Sequence, residues 1–160
     1  MDTIPEGYTT VTPWLIGPDT ASELAFIRDA FGGEELARVP NEEGGIGHAE
    51  TRIGDAIVLL FDAPAGWPPT PCFLRLYVAD VDETYERALT AGATSVTTPT
   101  EMFWGDRVAR VRDPLGNVWW IQQRAVELTP EEVEERAGKQ EFAEAMGYVQ
   151  RSLASLELDR

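Results

Sequence analysis

The sequence predicts an α+β fold made of two βαβββ modules followed by a C-terminal helical tail. The same order of elements occurs twice, about 60 residues apart, and each copy runs from a strand through a helix and a glycine stop to a tight hairpin. A short repeat unit cannot bury its own apolar face, so two halves are expected to pair. We therefore expect a domain over 1–124, with module one at 7–62, a linker at 63–71 and module two at 72–124, and an extension over 125–160.

Module one starts with a strand over residues 8–16, which are rich in β-branched and aromatic side chains. The turn GPDT supplies Asp19 or Thr20 as the N-cap of a helix over 20–31, and Gly32-Gly33 ends that helix. Three further strands, separated by the polar NEEGG segment and a Gly-Asp turn, are expected at 35–40, 46–53 and 56–61.

Segment 63–71 contains four prolines, which exclude regular structure and predict a linker. Module two then repeats the order with a strand over 72–78 and a helix over 80–91 that stops at Gly92. Its three remaining strands are expected at 94–97, 107–112 and 118–123, the last two joined by the turn DPLGN.

The tail carries its own helix signals. Thr129-Pro130-Glu131-Glu132 has the pattern of a capping box with proline at the first helical position, and Gly138 is expected to interrupt the helix. An apolar stripe at helical spacing follows, formed by Phe142, Met146, Val149, Leu153 and Leu156. The stripe fits equally a tail packed on its own domain and a contact across a dimer.

Composition limits the classes of partner. The chain is 43% hydrophobic and 26% charged, as in globular proteins, and its formal net charge of −15 repels nucleic acid and anionic lipid. We therefore expect no nucleic-acid or membrane partner; a strongly solvated surface is the main explanation of the charge and a basic protein partner the other. The first residues lack a secretory leader and Cys72 is the single cysteine, which indicates a cytoplasmic setting without an internal disulfide.

Several stretches resemble one known family. They are IPEGYTTVTPWLI, AFGGEEL, GIGHAETRIGDAIVLL, LYVADVDETYERALTAGAT and FWGDRVARVRDPLGNVWWI, which together cover most of residues 4–124. They are similar to glyoxalase/bleomycin-resistance domains of the vicinal oxygen chelate superfamily, and most similar to its PhnB-like branch. The resemblance implies curved mixed sheets around a ligand cavity, and a homodimer, since such modules often associate through sheet edges or by swapping.

The family's metal-binding positions carry the wrong side chains here. In metal-dependent members four cavity residues, usually histidines and glutamates, bind one divalent ion; the resemblance places Thr12, Leu59, Phe73 and Trp120 at those positions. Leucine, phenylalanine and tryptophan offer no ligand for such an ion, and no histidine or carboxylate lies within the four strand segments. We therefore expect no metal and no cofactor, which argues against glyoxalase, dioxygenase and metal-dependent transferase chemistry.

Strand alternation selects the residues expected to line the cavity. Side chains two apart share a face of a strand, and in the family these faces line the cavity. The expected ligand-binding residues are Trp14, Phe73, Arg75, Tyr77, Trp120 and Gln122, with Trp104 at the rim. A collapsed hydrophobic core is the alternative, but an arginine without an anionic partner is rare inside one, so Arg75 favours an open cavity.

Two main function classes follow, and metal-dependent lyase activity with unusual ligands is a weaker third. The first is a metal-independent protein that binds, and sequesters, a small planar aromatic or oxyanion-bearing molecule, as antibiotic-resistance relatives do. The second is an enzyme of the same fold, glyoxalase-like lyase or isomerase included, that uses His48 or Glu101 as acid or base. Each candidate also has a structural interpretation: His48 as a strand histidine paired with Glu50, and Glu101 as part of a loop braced by ion pairs.

Overall fold

The computed structural model describes residues 3–154 and 156, and it contains two four-stranded mixed sheets. The elements of module one are β1 (Trp14–Gly17), α1 (Thr20–Phe31), β2 (Glu34–Pro40), β3 (Ile46–Ile53) and β4 (Ala56–Asp62). Those of module two are β5 (Phe73–Tyr77), α2 (Val81–Thr90), β6 (Thr94–Glu101), β7 (Asp106–Arg112) and β8 (Val118–Arg124). The tail forms α3 (Pro130–Ala137) and α4 (Gln140–Ala154).

The two sheets have the same topology. In sheet 1 the strand order is β1-β4-β3-β2, and in sheet 2 it is β5-β8-β7-β6. The first strand of each module pairs in parallel with the last, and the other pairs are antiparallel. The predicted α+β fold of two βαβββ modules with a helical tail is confirmed.

The helices begin and end where capping chemistry predicts. The Asp19 carboxylate accepts a hydrogen bond from the Ser22 amide at the start of α1, and Asp80 accepts one from Glu83 at the start of α2. Gly32 ends α1 in the left-handed conformation, with φ of 69°. In the tail, Thr129 forms the predicted capping box and Gly138 separates α3 from α4.

Strand β1 is shorter than predicted. The first ladder contact is the amide of Leu59 donating to the carbonyl of Pro13, and regular pairing starts one residue later. Upstream, the hydroxyls of Thr9 and Thr12 bond to nearby backbone carbonyls, which competes with strand pairing, and Pro13 has no amide to donate. High β propensity alone therefore overestimated this strand.

Strand β6 is longer than predicted and runs through Pro99 to Glu101. It lies at the edge of sheet 2 and its pairing with β7 is interrupted by register shifts. Proline is tolerated at such an edge because its missing amide faces away from the neighbouring strand. Residues 63–71 of the predicted linker contain neither helix nor strand.

The main core is shared by both modules. It joins the helix-facing sides of the two sheets, for example Leu60 in sheet 1 and Trp119 in sheet 2, with residues of α1 and α2. Phe31 at the end of α1 contacts the ring of Trp119, with ring centroids 4.8 Å apart. Each module thus buries its apolar face against the other. Within the described residues, none of the helices is long and apolar enough to cross a membrane.

Candidate functional site

The functional residues predicted from alternation lie on the sheet surfaces that face away from the helices. We call these surfaces the open faces. Strand pairing defines them, because paired residues point to the same side. The open face of sheet 1 carries Trp14, His48, Glu50, Leu59 and Phe61. The open face of sheet 2 carries Phe73, Arg75, Tyr77, Val108, Arg110, Trp120 and Gln122.

Both open faces expose aromatic rings to solvent. The exposed fractions are 40% for Trp14, 50% for Phe73 and 67% for Tyr77. These values exclude the collapsed core that was the alternative to an open cavity for these three residues. In one copy of the chain, these three rings therefore lie at the surface.

The centre of the sheet 2 open face is Trp120 beneath two arginines. The guanidinium carbon of Arg110 lies 3.9 Å from the centroid of the Trp120 ring, and that of Arg75 lies 4.7 Å from it. Phe73 contacts the same ring edge-on, with centroids 6.1 Å apart. Such cation–π contacts hold the two cations in place on a flat aromatic surface.

Neither arginine has a carboxylate partner among the described residues. Arg110 is buried and donates through Nη1 to the carbonyl of Val149 at 2.7 Å, whereas Arg75 is exposed. Burial lowers the pKa of Arg110, and the positive charge of Arg75 lowers it further. Two cations without a counter-charge favour an anion at this place.

Further polar atoms on this face lack a protein partner in the described part of the chain. They are Nε of Arg110, Nε1 of Trp120 and Oε1 of Gln122, all buried. The other end of the Gln122 amide donates to the carboxylate of Asp106, which fixes its orientation. Buried polar groups usually have partners. A ligand with acceptor oxygens and one donor would satisfy this set.

The tail covers part of the same face. Val149 of α4 is buried against Met102 and Val108, and Trp104, Trp120 and Met146 pack around this cluster. The Tyr148 hydroxyl accepts a hydrogen bond of 2.9 Å from the Thr98 amide of β6. Of the two interpretations of the apolar stripe, the structure shows the tail packed on its own domain. Trp104 lies within this tail cluster.

The open face of sheet 1 has different chemistry. The Trp14 ring meets the rings of His48 and Phe61 edge-on, with centroids 5.8 Å and 5.3 Å apart. Nε2 of His48 lies 3.0 Å from Oε1 of Glu50. Hydrogen bonding by His48, and then by Tyr8, lowers the pKa of Glu50. The histidine is therefore beside an aromatic ring and paired with the carboxylate that the sequence indicated.

Glu101 lies apart from both aromatic surfaces. Its carboxylate is 2.5 Å from Nη2 of Arg136 in α3, and its side chain is 54% exposed. Nearby, Arg107 holds Asp82 of α2 through two hydrogen bonds. Glu101 is thus ion-paired, as its structural interpretation expected, but it ends strand β6 and does not lie in a loop.

The residues at the family's metal positions do not fit a divalent ion. Leu59, Phe73 and Trp120 lie in strands as the resemblance implied, and Thr12 precedes β1 and bonds to the Thr9 carbonyl. Within residues 3–154 and 156, no group of three or more histidine, cysteine, aspartate or glutamate side chains could hold a metal ion. The polar groups on the open face of sheet 2 are instead guanidinium, indole and amide groups.

Sequence reasoning missed Arg110 and the tail that covers it. The signal was present, because Arg110 alternates with Val108 and Arg112 on one predicted strand, and the DPLGN hairpin pairs Arg110 with Trp120. The path of the tail carried no such signal. An amphipathic stripe states which side of a helix is buried, but not against which surface.

Comparison with known proteins agrees with this architecture. Residues 8–121 match the model of the glyoxalase/bleomycin resistance protein/dioxygenase superfamily. The chain belongs to this superfamily. An uncharacterized protein of Mycobacterium bovis, Mb0911c, is 37% identical over 135 residues, which span 78% of this chain and 89% of that protein.

Solved structures of the superfamily fold superpose on most of the chain. TioX from Micromonospora sp. ML1 is 30% identical with a TM-score of 0.60, and the match covers 76% of this chain and all 100% of TioX. The fosfomycin resistance protein FosX from Listeria monocytogenes is 17% identical with a TM-score of 0.58, covering 78% and 97% of the two chains. The second likeness concerns the fold alone.

Proposed function

We propose that this superfamily member is a cytoplasmic, metal-independent binding protein for a small planar aromatic molecule that bears a carboxylate or another oxyanion. The observation that carries the proposal is the pair of arginines over Trp120 without a carboxylate partner. A bidentate guanidinium contact supplies direction, and ring stacking adds about 0.5–1.5 kcal/mol per pair. We further propose sequestration as its role, because the superfamily includes bleomycin resistance proteins, and we place the chain in the PhnB-like branch on the stretches quoted above.

The proposed binding unit is a homodimer. Phe73, Tyr77 and Trp14 expose ring surface that a second copy would cover, and large exposed apolar patches mark interaction sites. The open face of sheet 1 in one copy would then oppose the open face of sheet 2 in its partner. The ligand would lie between them, with domain 1–124 forming the cavity and extension 125–160 closing one side. Light scattering at micromolar concentration should give twice the 17.7 kDa mass of the chain.

Matched ligands test the anion site. Isothermal titration calorimetry with 2-naphthoate and with its neutral analogue 2-naphthamide separates charge recognition from stacking. We expect naphthoate to bind more tightly, and Arg75→Ala to weaken naphthoate by about tenfold or more through loss of a charged hydrogen bond. Naphthamide affinity should change much less.

A matched control arginine is available in module one. Arg28 of α1 is exposed and pairs with Asp29 on the helix side of the molecule, so Arg28→Ala should leave naphthoate binding unchanged. Equal affinity for the two naphthalene compounds, or equal loss in Arg75→Ala and Arg28→Ala, would contradict the proposal.

One observation favours an enzyme as the second candidate function. His48 and Glu50 form a hydrogen-bonded pair beside the Trp14 ring, an arrangement that can serve proton transfer to a bound molecule. Under this alternative, His48→Asn abolishes turnover of a glyoxalase-type hemithioacetal and leaves naphthoate affinity intact. Glu101 is the other acid/base candidate, and its ion pair with Arg136 would first have to open.

A further inference from the structure

A separate cavity lies at the start of α1, and Trp67 in its wall contacts Phe61 at the edge of the sheet 1 open face. It measures about 350 Å³ and is enclosed by the end of β1, the first turn of α1, the proline-rich linker and the turn between β7 and β8. Its volume lies in the range of roughly 300–1,000 Å³ that is typical of small-molecule sites. The linker forms its outer wall, with Trp67 among four prolines.

An unpartnered carboxyl group forms the inner end of this cavity. Glu23 of α1 is only 2% exposed; Asp113 and Asn117 lie beside it, but neither of its carboxyl oxygens makes a hydrogen bond of regular geometry within the described residues. The hydroxyl of Thr20, one turn earlier and also 2% exposed, likewise makes none. Both residues line the cavity. A buried polar group without a partner costs free energy, so two of them at one cavity indicate a ligand that satisfies both.

The Asp113 carboxylate and the side-chain oxygen of Asn117, at the inner end, already have partners. The Asp113 carboxylate accepts hydrogen bonds from the amides of Leu115 and Asn117 and from the Trp119 indole. The Asn117 side-chain oxygen accepts one from the Cys72 amide. These bonds hold the turn in shape. They leave Glu23 and Thr20 as the groups available to a guest.

The charges around the cavity are of one sign. Asp113 lies close enough to Glu23 for its negative charge to disfavour ionisation of the Glu23 carboxyl. The residues that line the cavity include no lysine, arginine or histidine. The chain as a whole carries a net charge of −15, which attracts cations. The remaining lining is apolar, provided by Leu15, Leu115, Trp67 and the prolines.

We propose that this cavity binds a small organic cation, a primary or secondary ammonium with a compact apolar body. The ammonium group would donate to the Glu23 carboxylate and to the Thr20 hydroxyl oxygen, and Trp67 and the prolines would contact the apolar body. This site is independent of the anion site on sheet 2, and it takes a ligand of opposite charge.

Binding should release a proton. In the free protein, burial, reinforced by the negative charge of Asp113, raises the pKa of Glu23 to about 9, so its carboxyl is protonated near neutral pH. A bound ammonium favours the ionised carboxylate, and the proton leaves to solvent. The other titratable groups at this end are Asp113 and Cys72, with Asp62 near the start of α1; burial raises the pKa of the Cys72 thiol as well. Between pH 6 and 8.5, affinity should therefore rise with pH, by up to about tenfold per unit.

Calorimetry with benzylamine tests the proposal, with benzyl alcohol as the neutral and benzoate as the anionic comparison. In buffers of different ionisation enthalpy, benzylamine binding should show release of up to about one proton at pH 7. We expect benzyl alcohol to bind at least tenfold more weakly, and benzoate not to compete. In Glu23→Gln, which keeps the shape of the side chain, affinity for benzylamine should fall at least tenfold and proton release should vanish.

Two further variants keep the result interpretable. Glu86→Gln makes the same change on an exposed position of α2 and should bind benzylamine like the parent protein. Trp67→Ala removes an exposed linker residue without touching the core, and should weaken benzylamine several-fold even if Glu23→Gln fails to fold. No binding of benzylamine at millimolar concentration, equal binding of benzyl alcohol, or an unchanged proton count in Glu23→Gln would overturn the proposal. Binding of 2-naphthoate should be the same in Glu23→Gln and the parent, which separates this site from the one on sheet 2.

Discussion

The two modules share topology but differ in what they place at matching positions. Aligned by their N-caps, Asp19 and Asp80, the fourth helical residue is Glu23 in α1 and Thr84 in α2. Both are buried, but the Thr84 hydroxyl donates to the Asp80 carbonyl at 2.7 Å, whereas the Glu23 carboxyl makes no hydrogen bond of regular geometry within the described residues. In module two the buried polar side chain at this position thus forms a hydrogen bond within the first turn of its own helix. Module one leaves an acidic group facing a cavity.

On the open faces the contrast between the modules is reversed: there the polar side chains of module one are paired with each other, and the two arginines over Trp120 in module two lack a carboxylate partner in the described residues. Sheet 1 carries the self-contained pair of His48 and Glu50, whereas sheet 2 carries two arginines without a carboxylate, partly covered by α4. Repetition thus set the backbone, and individual substitutions set the charge. A duplicated fold can in this way hold one anion-favouring and one cation-favouring site without any change of topology.

The largest effect is expected where each module uses an aspartate to hold its backbone. The buried Asp113 accepts three hydrogen bonds, one of them from the fully buried Trp119 indole, and Asp62 accepts two, from the amides of Thr20 and Ile46. Asp113→Ala leaves a buried donor unpaired and should lower the free energy of unfolding by about 3 kcal/mol.

The matching variant in module one is Asp62→Ala. Asp62 is less buried, so water can replace part of what is lost, and we expect a decrease of about 1–2 kcal/mol. Urea denaturation at pH 7 measures both. Equal losses in the two variants would show that burial of the aspartate does not decide its contribution.

Most of the fold, and part of the site, followed from the sequence. Both module helices were predicted to within a residue, because N-caps and glycine stops are local signals, and the open-face residues followed from alternation. Arg110, Glu23 and the course of α4 did not follow. Their environments depend on which distant segments meet: β8 and Val149 at Arg110, and the linker and Asp113 at Glu23.

The second prediction concerns the pH dependence of stability and separates Glu23 from Thr84. The pKa of Glu23 is about 9 in the folded protein and near its ordinary value of about 4.5 when unfolded. Between these values the folded state binds the extra proton. The contribution of Glu23 to the free energy of unfolding is therefore largest below pH 4.5. It falls as the pH rises toward 9, by up to about 1.4 kcal/mol per unit.

Glu23→Gln removes this titration, whereas Thr84→Val at the matching position of α2 leaves it intact. At pH 8 the Gln variant should be more stable than the parent, and the difference should shrink by up to about 1.4 kcal/mol for each unit that the pH is lowered toward 5. Thermal unfolding at each pH measures the curve. A parent protein whose stability rises between pH 6 and 8.5 by as much as the Gln variant's would show that Glu23 is not protonated in the fold.

The last prediction concerns the tail, which covers part of sheet 2 and leaves sheet 1 open. Met102 is fully buried between β7 and α4, where it meets Val108 and Val149. Met102→Ala removes buried volume from a small cluster at the periphery, so the cost should be about 2 kcal/mol, at the low end for such a change. Because α4 also accepts the Arg110 hydrogen bond through Val149, loosening this cluster should release the guanidinium and change naphthoate affinity.

Val133→Ala on α3, which buries no residue, is the control and should cost less than about 0.5 kcal/mol. Hydrogen exchange of the α4 amides distinguishes local undocking of the tail, which should speed exchange in Met102→Ala alone, from a general loss of stability that would speed exchange in both sheets equally.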